Sequence, residues 1–175
     1  MRELGAIAGV SVAHGSATVD EIEAAGEDSV RATVSDLLAR EGVEEAFAIR
    51  TCNRSEAYVV SAQTTDARTA LDSFAPTVRG AAVRRLGHEE SLRHLMRVAS
   101  GLESLVIGED QIIGQVREAY QESRAAGGIG PMLEDAVTKA LHVGERARTE
   151  TSINDGVVSL GSAAVRLAAG EIDLT

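Results

Sequence analysis

Apolar positions change period along this chain, and each change marks a predicted element. Residues 4–12 are an apolar run bounded by Gly5, Gly9 and His14 and predict a first strand. Val19–Ala25 and then Val30–Arg40 carry helical spacing. In the second of these Val30, Val34, Leu37 and Leu38 form one stripe, Ser29 can cap the start and Gly42 ends it. Alternation then takes over: Phe47 and Ile49 stand among smaller residues in Ala46–Arg50, and Tyr58 and Val60 do so in Ala57–Ser61. Residues 51–54 are therefore the connection between two predicted strands, and a loop on a rigid sheet suits a reacting group. A short helix near Asp66–Phe74 breaks at Pro76, and Ala81–Leu86 predicts a further strand.

From Glu89 the period is helical again, with Leu92, Leu95, Met96 and Ala99 on one face and Gly101 as the stop. A second helix is predicted from near Gly108, with Glu109 and Asp110 at its positive end and Ile112, Val116, Ala119 and Tyr120 turned inward. Gln111, Gln115 and Glu118 form its polar side. Gly114, inside it, costs about 1 kcal/mol and marks close approach of another backbone. Gly127–Pro131 is a loop, and a third helix runs through Val137, Ala140, Leu141 and Ala147. Strands and helices interspersed without regular βαβ repeats favour the α+β class. Near the end, Asn154 or Asp155 can cap a helix from about Gly156 to Ala169 in which Arg166 is the only charge. A helix apolar nearly all round needs burial on several sides. Under about 18 residues, it is too short to cross a bilayer.

Composition narrows the class. The 175 residues suffice for one domain with its own core, and with only 2% aromatics that core must be built from Ala, Val, Leu and Ile. No run spans a bilayer, no signal-peptide pattern opens the chain, and one cysteine excludes an internal disulfide framework; a soluble, cytoplasmic protein is expected. The formal charge is −10, and of 17 basic residues only Lys139 is not arginine. Such acidity fits a halophile-like surface, and a GC-rich genome would enrich arginine equally well. It argues against general nucleic-acid affinity, so any RNA must be held by a local patch or another domain.

The candidate chemistry centres on Cys52, in Thr51-Cys52-Asn53-Arg54. A neighbouring guanidinium can favour the thiolate, the reactive form of a cysteine. A lone cysteine is more often a small buried hydrophobe. His88 precedes a helix and is expected to be exposed; His142, among apolar neighbours, is expected to be partly buried. The four histidines and one cysteine show no metal-ligand spacing, so no metal is expected.

Two motifs together say more. Thr51-Cys52-Asn53-Arg54-Ser55-Glu56, followed by His94-Leu-Met-Arg-Val-Ala-Ser-Gly-Leu-Glu-Ser104-Leu-Val-Ile-Gly108-Glu109-Asp-Gln111-Ile-Ile-Gly-Gln115, resemble the amino-terminal catalytic domain of the glutamyl-tRNA reductases. His14-Gly-Ser-Ala17 and Ser159–Val165 add weaker support, and the resemblance covers nearly the whole chain. Ser55 stands for a usual Thr, Glu103 for Asp, Asp110 for Pro and Thr18 for Pro, and an extra residue lies upstream of His14.

The resemblance implies a ferredoxin-like antiparallel sheet with packed helices over residues 1–153, followed by the start of a long connecting helix over 154–175. It implies Cys52 as nucleophile toward glutamyl-tRNA(Glu), Arg54 on a glutamate carboxylate, and Thr51 and Ser104 hydrogen-bonding the glutamyl group. Glu109 is implied on the α-ammonium, with Gln111 and Gln115 toward the substrate, and His94 is implied near the thiol, orienting substrate or moving a proton. It further implies NADPH reduction of the thioester to glutamate-1-semialdehyde for tetrapyrrole synthesis, a homodimer, and channelling to the next pathway enzyme. No Gly-x-Gly-x-x-Gly follows a strand, since Gly127–Gly130 lies between helices, so the chain reads as a fragment lacking the cofactor and dimerisation domains. Such a fragment would be at most an esterase. The alternative is a non-enzymatic binding module with an inert Cys52, and a self-contained cysteine hydrolase lacks an orienting Asn or Asp at a recognisable position.

Overall fold

Strand order and crossover placement follow from which faces of the strands are apolar. The computed structural model describes residues 6–75, 78, 80–155, 161, 164, 165 and 168. Strand β1 (Ala6–Ala13) leads through helices α1 (Val19–Ala25) and α2 (Val30–Leu38) to β2 (Val43–Thr51) and β3 (Arg54–Ser61). Helix α3 (Thr64–Asp72) and a 3₁₀ turn at Gly80–Ala82 precede β4 (Arg84–Leu86), and α4 (His88–Ala99), α5 (Gln111–Ala125) and α6 (Pro131–Glu150) follow. The sheet order is β2-β3-β1-β4, with every pairing antiparallel. A β-α-β-β-α-β path in that order is the ferredoxin-like arrangement expected of this chain, here with α4 to α6 added.

Alternation on the central strands divides the core in two. Phe47, Ile49, Tyr58 and Val60 face α4, α5 and α6 with Leu95, Val98, Ile112, Val116, Leu133 and Val137. Ala46, Ala48, Ala57 and Val59 face the other way, onto Val30, Val34 and Leu37 of α2 and Ala67, Ala70 and Leu71 of α3. Both faces of β3 are thus covered, and every residue of it is buried. The edge of β2 is covered too: the Ala46 amide donates to the Gly128 carbonyl at 2.8 Å, and the Ala48 amide reaches Ser123 Oγ at 3.5 Å. An unpaired strand edge invites association with other strands, and α5 with its following loop removes it.

The structure departs from the sequence expectation at four places. The strand predicted over Ala81–Leu86 is half a 3₁₀ turn, because Gly80 at φ +72° starts a bend whose carbonyl accepts the Val83 amide at 3.3 Å. The helix predicted from Gly108 begins at Gln111, so Glu109 and Asp110 lie before its first turn. Gly108 instead closes a loop: its φ is +79°, its amide donates to the Gly101 carbonyl at 3.0 Å, and a Cβ there would lie 2.0 Å from the Ile153 carbonyl oxygen. Gly114, expected to receive a neighbouring backbone, would place a Cβ against nothing among the described residues. His142 is exposed rather than partly buried, on the outer side of α6, while His88 is exposed as expected. The helix predicted over 156–169, and with it most of the region 154–175, lies outside the described residues apart from 161, 164, 165 and 168.

One acid ties the sheet to α6. A register shift between Val43 and Glu45 turns the Glu45 side chain to the start of that helix. Its Oε1 accepts the Met132 amide at 3.1 Å and its Oε2 the Leu133 amide at 2.7 Å. These are N–H groups that a helix leaves without partners, at its positive end. Glu45→Ala should therefore cost about 1–3 kcal/mol, the desolvation of buried donors left unmade. Urea unfolding should show a lower midpoint with an unchanged slope; an unmoved midpoint would remove Glu45 from its role as the cap.

Candidate active site

The β2–β3 hairpin brings its two turn residues to one end of the sheet. Thr51 pairs with Arg54, so Cys52 and Asn53 alone make the turn. Two-residue hairpin turns usually need positive φ, yet no described residue other than glycine has one. The turn is held by bonds instead. Thr51 Oγ1 accepts the Asn53 amide at 3.2 Å, and the Asn53 carbonyl accepts the His14 amide at 3.0 Å from the end of β1. Cys52 is free and exposed at the tip.

Beside it opens a cavity of about 220 Å³ lined by Thr51, Cys52, Asn53, Arg54, Ser104, Glu109, Gln111, Ile112, Gln115 and Gly161. Every site residue predicted from the sequence lines it except His94, and they arrive from the hairpin, the 101–110 loop and the first turns of α5. Glu118 does not line it and is exposed. Ser104 Oγ is buried with no hydrogen-bond partner among the described residues, an acceptor and donor held ready beside the thiol. A larger cavity of about 470 Å³, against Val10, Leu71, Asp72 and Arg85, offers no nucleophile.

Arg54 is the buried wall of the small cavity, 1% exposed. It sits on β3 with Glu56 and Tyr58 at alternate positions, so all three share one face of the strand. Glu56 accepts from Arg54 Nη1 at 3.0 Å, His94 Nε2 at 2.8 Å and Ser11 Oγ at 2.8 Å on one oxygen, and from the Tyr58 hydroxyl at 2.7 Å on the other. Arg54 Nη2 also donates to the Glu103 carbonyl, which ties the guanidinium to the 101–110 loop. Burial alone would raise the Glu56 carboxyl, but hydrogen bonding and charge from His94, the charge of Arg54 and the Tyr58 hydroxyl outweigh it and bring it to about 2. Burial and then the Glu56 charge push the Tyr58 phenol well above its usual range.

His94 therefore stands behind Arg54 rather than in the cavity with the thiol. Its Nε2 is committed to Glu56, and the ring lines a neighbouring cavity with His14. Glu56, Glu45 and Arg148 escaped the sequence reading as working residues. Arg148 of α6 donates to the Ala99 carbonyl at 2.8 Å and the Glu109 carbonyl at 2.7 Å, fastening both ends of the 101–110 loop. One signal was present: Arg54, Glu56 and Tyr58 fall on alternate residues of a predicted strand flank, a polar stripe where an apolar one was due.

The depressed carboxyl carries a pH signature. A group whose folded pKa lies below its unfolded value stabilises above the unfolded value, and that contribution is lost as pH falls through the folded one. For Glu56 the window runs from the ordinary glutamate value of 4.5 down to about 2, and the contribution is on the order of 3 kcal/mol. Glu56→Gln should lower stability at neutral pH by about 3–5 kcal/mol, as removal of one partner of a buried pair does. The deficit relative to the unaltered chain should shrink between pH 4.5 and 2 in acid-titrated urea unfolding; a deficit independent of pH would contradict an ionised Glu56.

Comparison with known proteins bears on the chain and its fold as a whole. Residues 10–151 match the family model described as the glutamyl-tRNAGlu reductase N-terminal domain. The chain is 61% identical over 97% of its length to a glutamyl-tRNA reductase of Haloquadratum walsbyi, and 60% identical over 99% to one of Haloarcula marismortui. It spans only 37% and 39% of those relatives. The solved glutamyl-tRNA reductase of Methanopyrus kandleri superposes with a TM-score of 0.80 at 35% identity, covering 98% of this chain and 41% of that one. On the match of residues 10–151, with the hairpin cysteine inside that span, the chain belongs to the family of glutamyl-tRNA reductase N-terminal domains.

Proposed function

We propose that this chain is the acyl-accepting part of a glutamyl-tRNA reductase, in which Cys52 takes the glutamyl group of glutamyl-tRNA(Glu) as a thioester. The observation that carries the reading is one exposed sulfur at the mouth of a cavity walled by a buried, fixed guanidinium. Attack by the thiolate forms the Sγ–C bond and breaks the C–O bond to ribose, and the ribose oxygen leaves as a hydroxyl carrying the equivalent of the proton that the thiol gave to solvent on ionising. Arg54, already oriented by Glu56, presents its remaining N–H groups to a substrate carboxylate, whose planar geometry a guanidinium fork matches. Glu109 meets the α-ammonium, and Thr51, Ser104, Gln111 and Gln115 supply hydrogen bonds to the glutamyl group. His94 acts at one remove: through Glu56 it holds Arg54 in place.

A hydride from NADPH would reduce the thioester to glutamate-1-semialdehyde, the entry to tetrapyrrole synthesis. The described residues do not fit that cofactor, because the sheet is antiparallel throughout and the glycine-rich run 127–130 joins two helices. The chain itself is proposed to acylate and then hydrolyse, as a slow esterase. NADPH dependence, a homodimer, channelling to the next pathway enzyme and a cytoplasmic setting belong to the same proposal for the whole reductase. No helix of the described residues is long and apolar enough to cross a membrane.

Incubation with glutamyl-tRNA should leave a glutamyl adduct on Cys52, visible by peptide mass spectrometry and removed by hydroxylamine. Cys52→Ser should abolish the thioester. Arg54→Lys, which keeps charge and loses the fork, should slow acylation by about 10- to 100-fold, as the loss of a charge-assisted contact worth about 1.5–3 kcal/mol does. Native Cys52 that resists alkylation at neutral pH, or ester turnover unchanged in Cys52→Ser, would favour an inert cysteine in a binding module.

A further inference from the structure

Arg148 sits in the last turn of α6, where a cation ordinarily settles the carbonyl end of its own helix. Only one of its bonds does so, from Nη1 to the Gly144 carbonyl at 2.9 Å. The others leave the helix. Nη1 also donates to the Ala99 carbonyl at 2.8 Å, at the end of α4, and Nη2 to the Glu109 carbonyl at 2.7 Å, just before α5. Nε lies 3.3 Å from Asp110 Oδ1. The side chain is 11% exposed and lines neither the Cys52 cavity nor the one that holds His94.

The loop it reaches is anchored at two separate points. Next to Ser104, the Glu103 carbonyl accepts from Arg54 Nη2 and the Glu103 carboxylate pairs with Arg97. At the other end the Glu109 amide donates to the Val106 carbonyl at 3.2 Å, within the loop itself. Among the described residues Arg148 is therefore the only group outside the loop that hydrogen-bonds Glu109. It takes the backbone and leaves the carboxylate. The ion pair of Arg148 is with Asp110, while Glu109, a wall of the Cys52 cavity, has none among the described residues. A buried guanidinium thus fixes where this carboxylate starts from and leaves its charge to a ligand.

We infer that Arg148 is a positioning residue for recognition of the donor's α-ammonium, acting through the Glu109 backbone from outside the cavity. The inference rests on the proposed acyl transfer and on the α-ammonium lying at Glu109. What it adds is the origin of a selectivity. Loss of the Arg148 fork releases Glu109, whereas Arg54, Ser104 and Cys52 keep anchors of their own. A donor that carries the amine suffers, and one without it does not. A carboxylate that must be brought into place when the cation arrives contributes less than one already held.

Two donors read this out: glutamate α-ethyl thioester, and the mono-ethyl thioester of glutaric acid, which keeps the far carboxylate and lacks the ammonium. With either, Cys52 Sγ takes the acyl carbon and ethanethiol leaves with the proton. The unaltered chain should prefer the glutamyl donor. Arg148→Lys keeps a cation at the end of α4, which that helix favours, but one ammonium cannot span both carbonyls. It should raise the half-saturating concentration of the glutamyl donor about tenfold, the size of one charge-assisted contact, with the rate at saturation unchanged. Acylation by the glutaryl donor should not change. Glu109→Gln should lose the same preference, and the double variant should lose no more of it than either single one, as groups acting in series do. Equal losses with both donors, a lower rate at saturation with half-saturation unmoved, or additive losses in the double variant would overturn the positioning role. If neither donor acylates the unaltered chain, the acyl-transfer proposal falls instead. The affinities of the Cys52→Ser chain for the two donors, with and without Arg148→Lys, then decide the positioning by the same preference.

Discussion

A carboxylate with no solvent is the constraint on which this site is built. Glu56 is wholly buried, and a lone charge there would cost several kcal/mol. It is tolerated because an arginine, a histidine, a tyrosine and a serine all direct hydrogens at it, and in doing so each is itself immobilised. Ser11 comes from β1, Arg54 and Tyr58 from β3, and His94 from α4, so the network fixes a helix against two strands at the end of the sheet where the hairpin turns. The Cys52 cavity inherits its wall from this network. An arginine free to choose among rotamers would present no fixed fork to a ligand; this one has two of its donor groups committed, to Glu56 and to the Glu103 carbonyl.

The second wall is a loop, and loops need their own restraint. Residues 101–110 turn back at Gly101, φ +80°, and close at Gly108, whose amide returns to the Gly101 carbonyl. Both positions require glycine for conformation, and Gly108 also for space, since the Ile153 carbonyl occupies the place of a side chain. Arg148 then binds the Ala99 carbonyl just before the loop and the Glu109 carbonyl near its end. Close approach of α6 to α4 makes this reach possible: a Cβ on Gly144, one turn before Arg148, would lie 2.5 Å from the Ala99 carbonyl oxygen. A helix distant in sequence thereby fixes Ser104 and Glu109 without touching the cavity.

Much of this was legible in the residues, for reasons that differ by element. Phe47, Ile49, Tyr58 and Val60 announced their strands by period, because each strand is packed on both faces by different helices and its alternation is real. The 101–115 segment was legible through motif rather than period, and its helix start was misplaced by three residues, Gly108 for Gln111. The reason is conformational: an acid pair after glycine matches a helix N-terminus, but a glycine at positive φ is already spent closing a loop. Glu56 and Arg148 were not read as working residues, because a charged residue in a strand or on a helix is ordinarily solvated. Only tertiary structure shows that both are turned inward, and only the partners, supplied from far along the chain, show why that is stable.

Exposure and rigidity conflict within a single residue, and the hairpin separates them across one turn. A nucleophile that must meet an ester has to be reachable, and Cys52 is exposed at the tip. A recognition group must not move, and Arg54, two residues on, is 1% exposed and bonded at both ends of its guanidinium. Strand geometry permits this, because the turn points its own side chains outward while the first residue of β3 is already under α4 and the loop. The bonds that hold the turn come from Thr51 and His14, outside the two turn residues, so the backbone of Cys52 is positioned while its side chain remains unencumbered. A sulfur presented on a fixed backbone beside a fixed cation needs little reorganisation when a carboxylate-bearing acyl group arrives, and preorganisation of that kind is where a small site obtains selectivity.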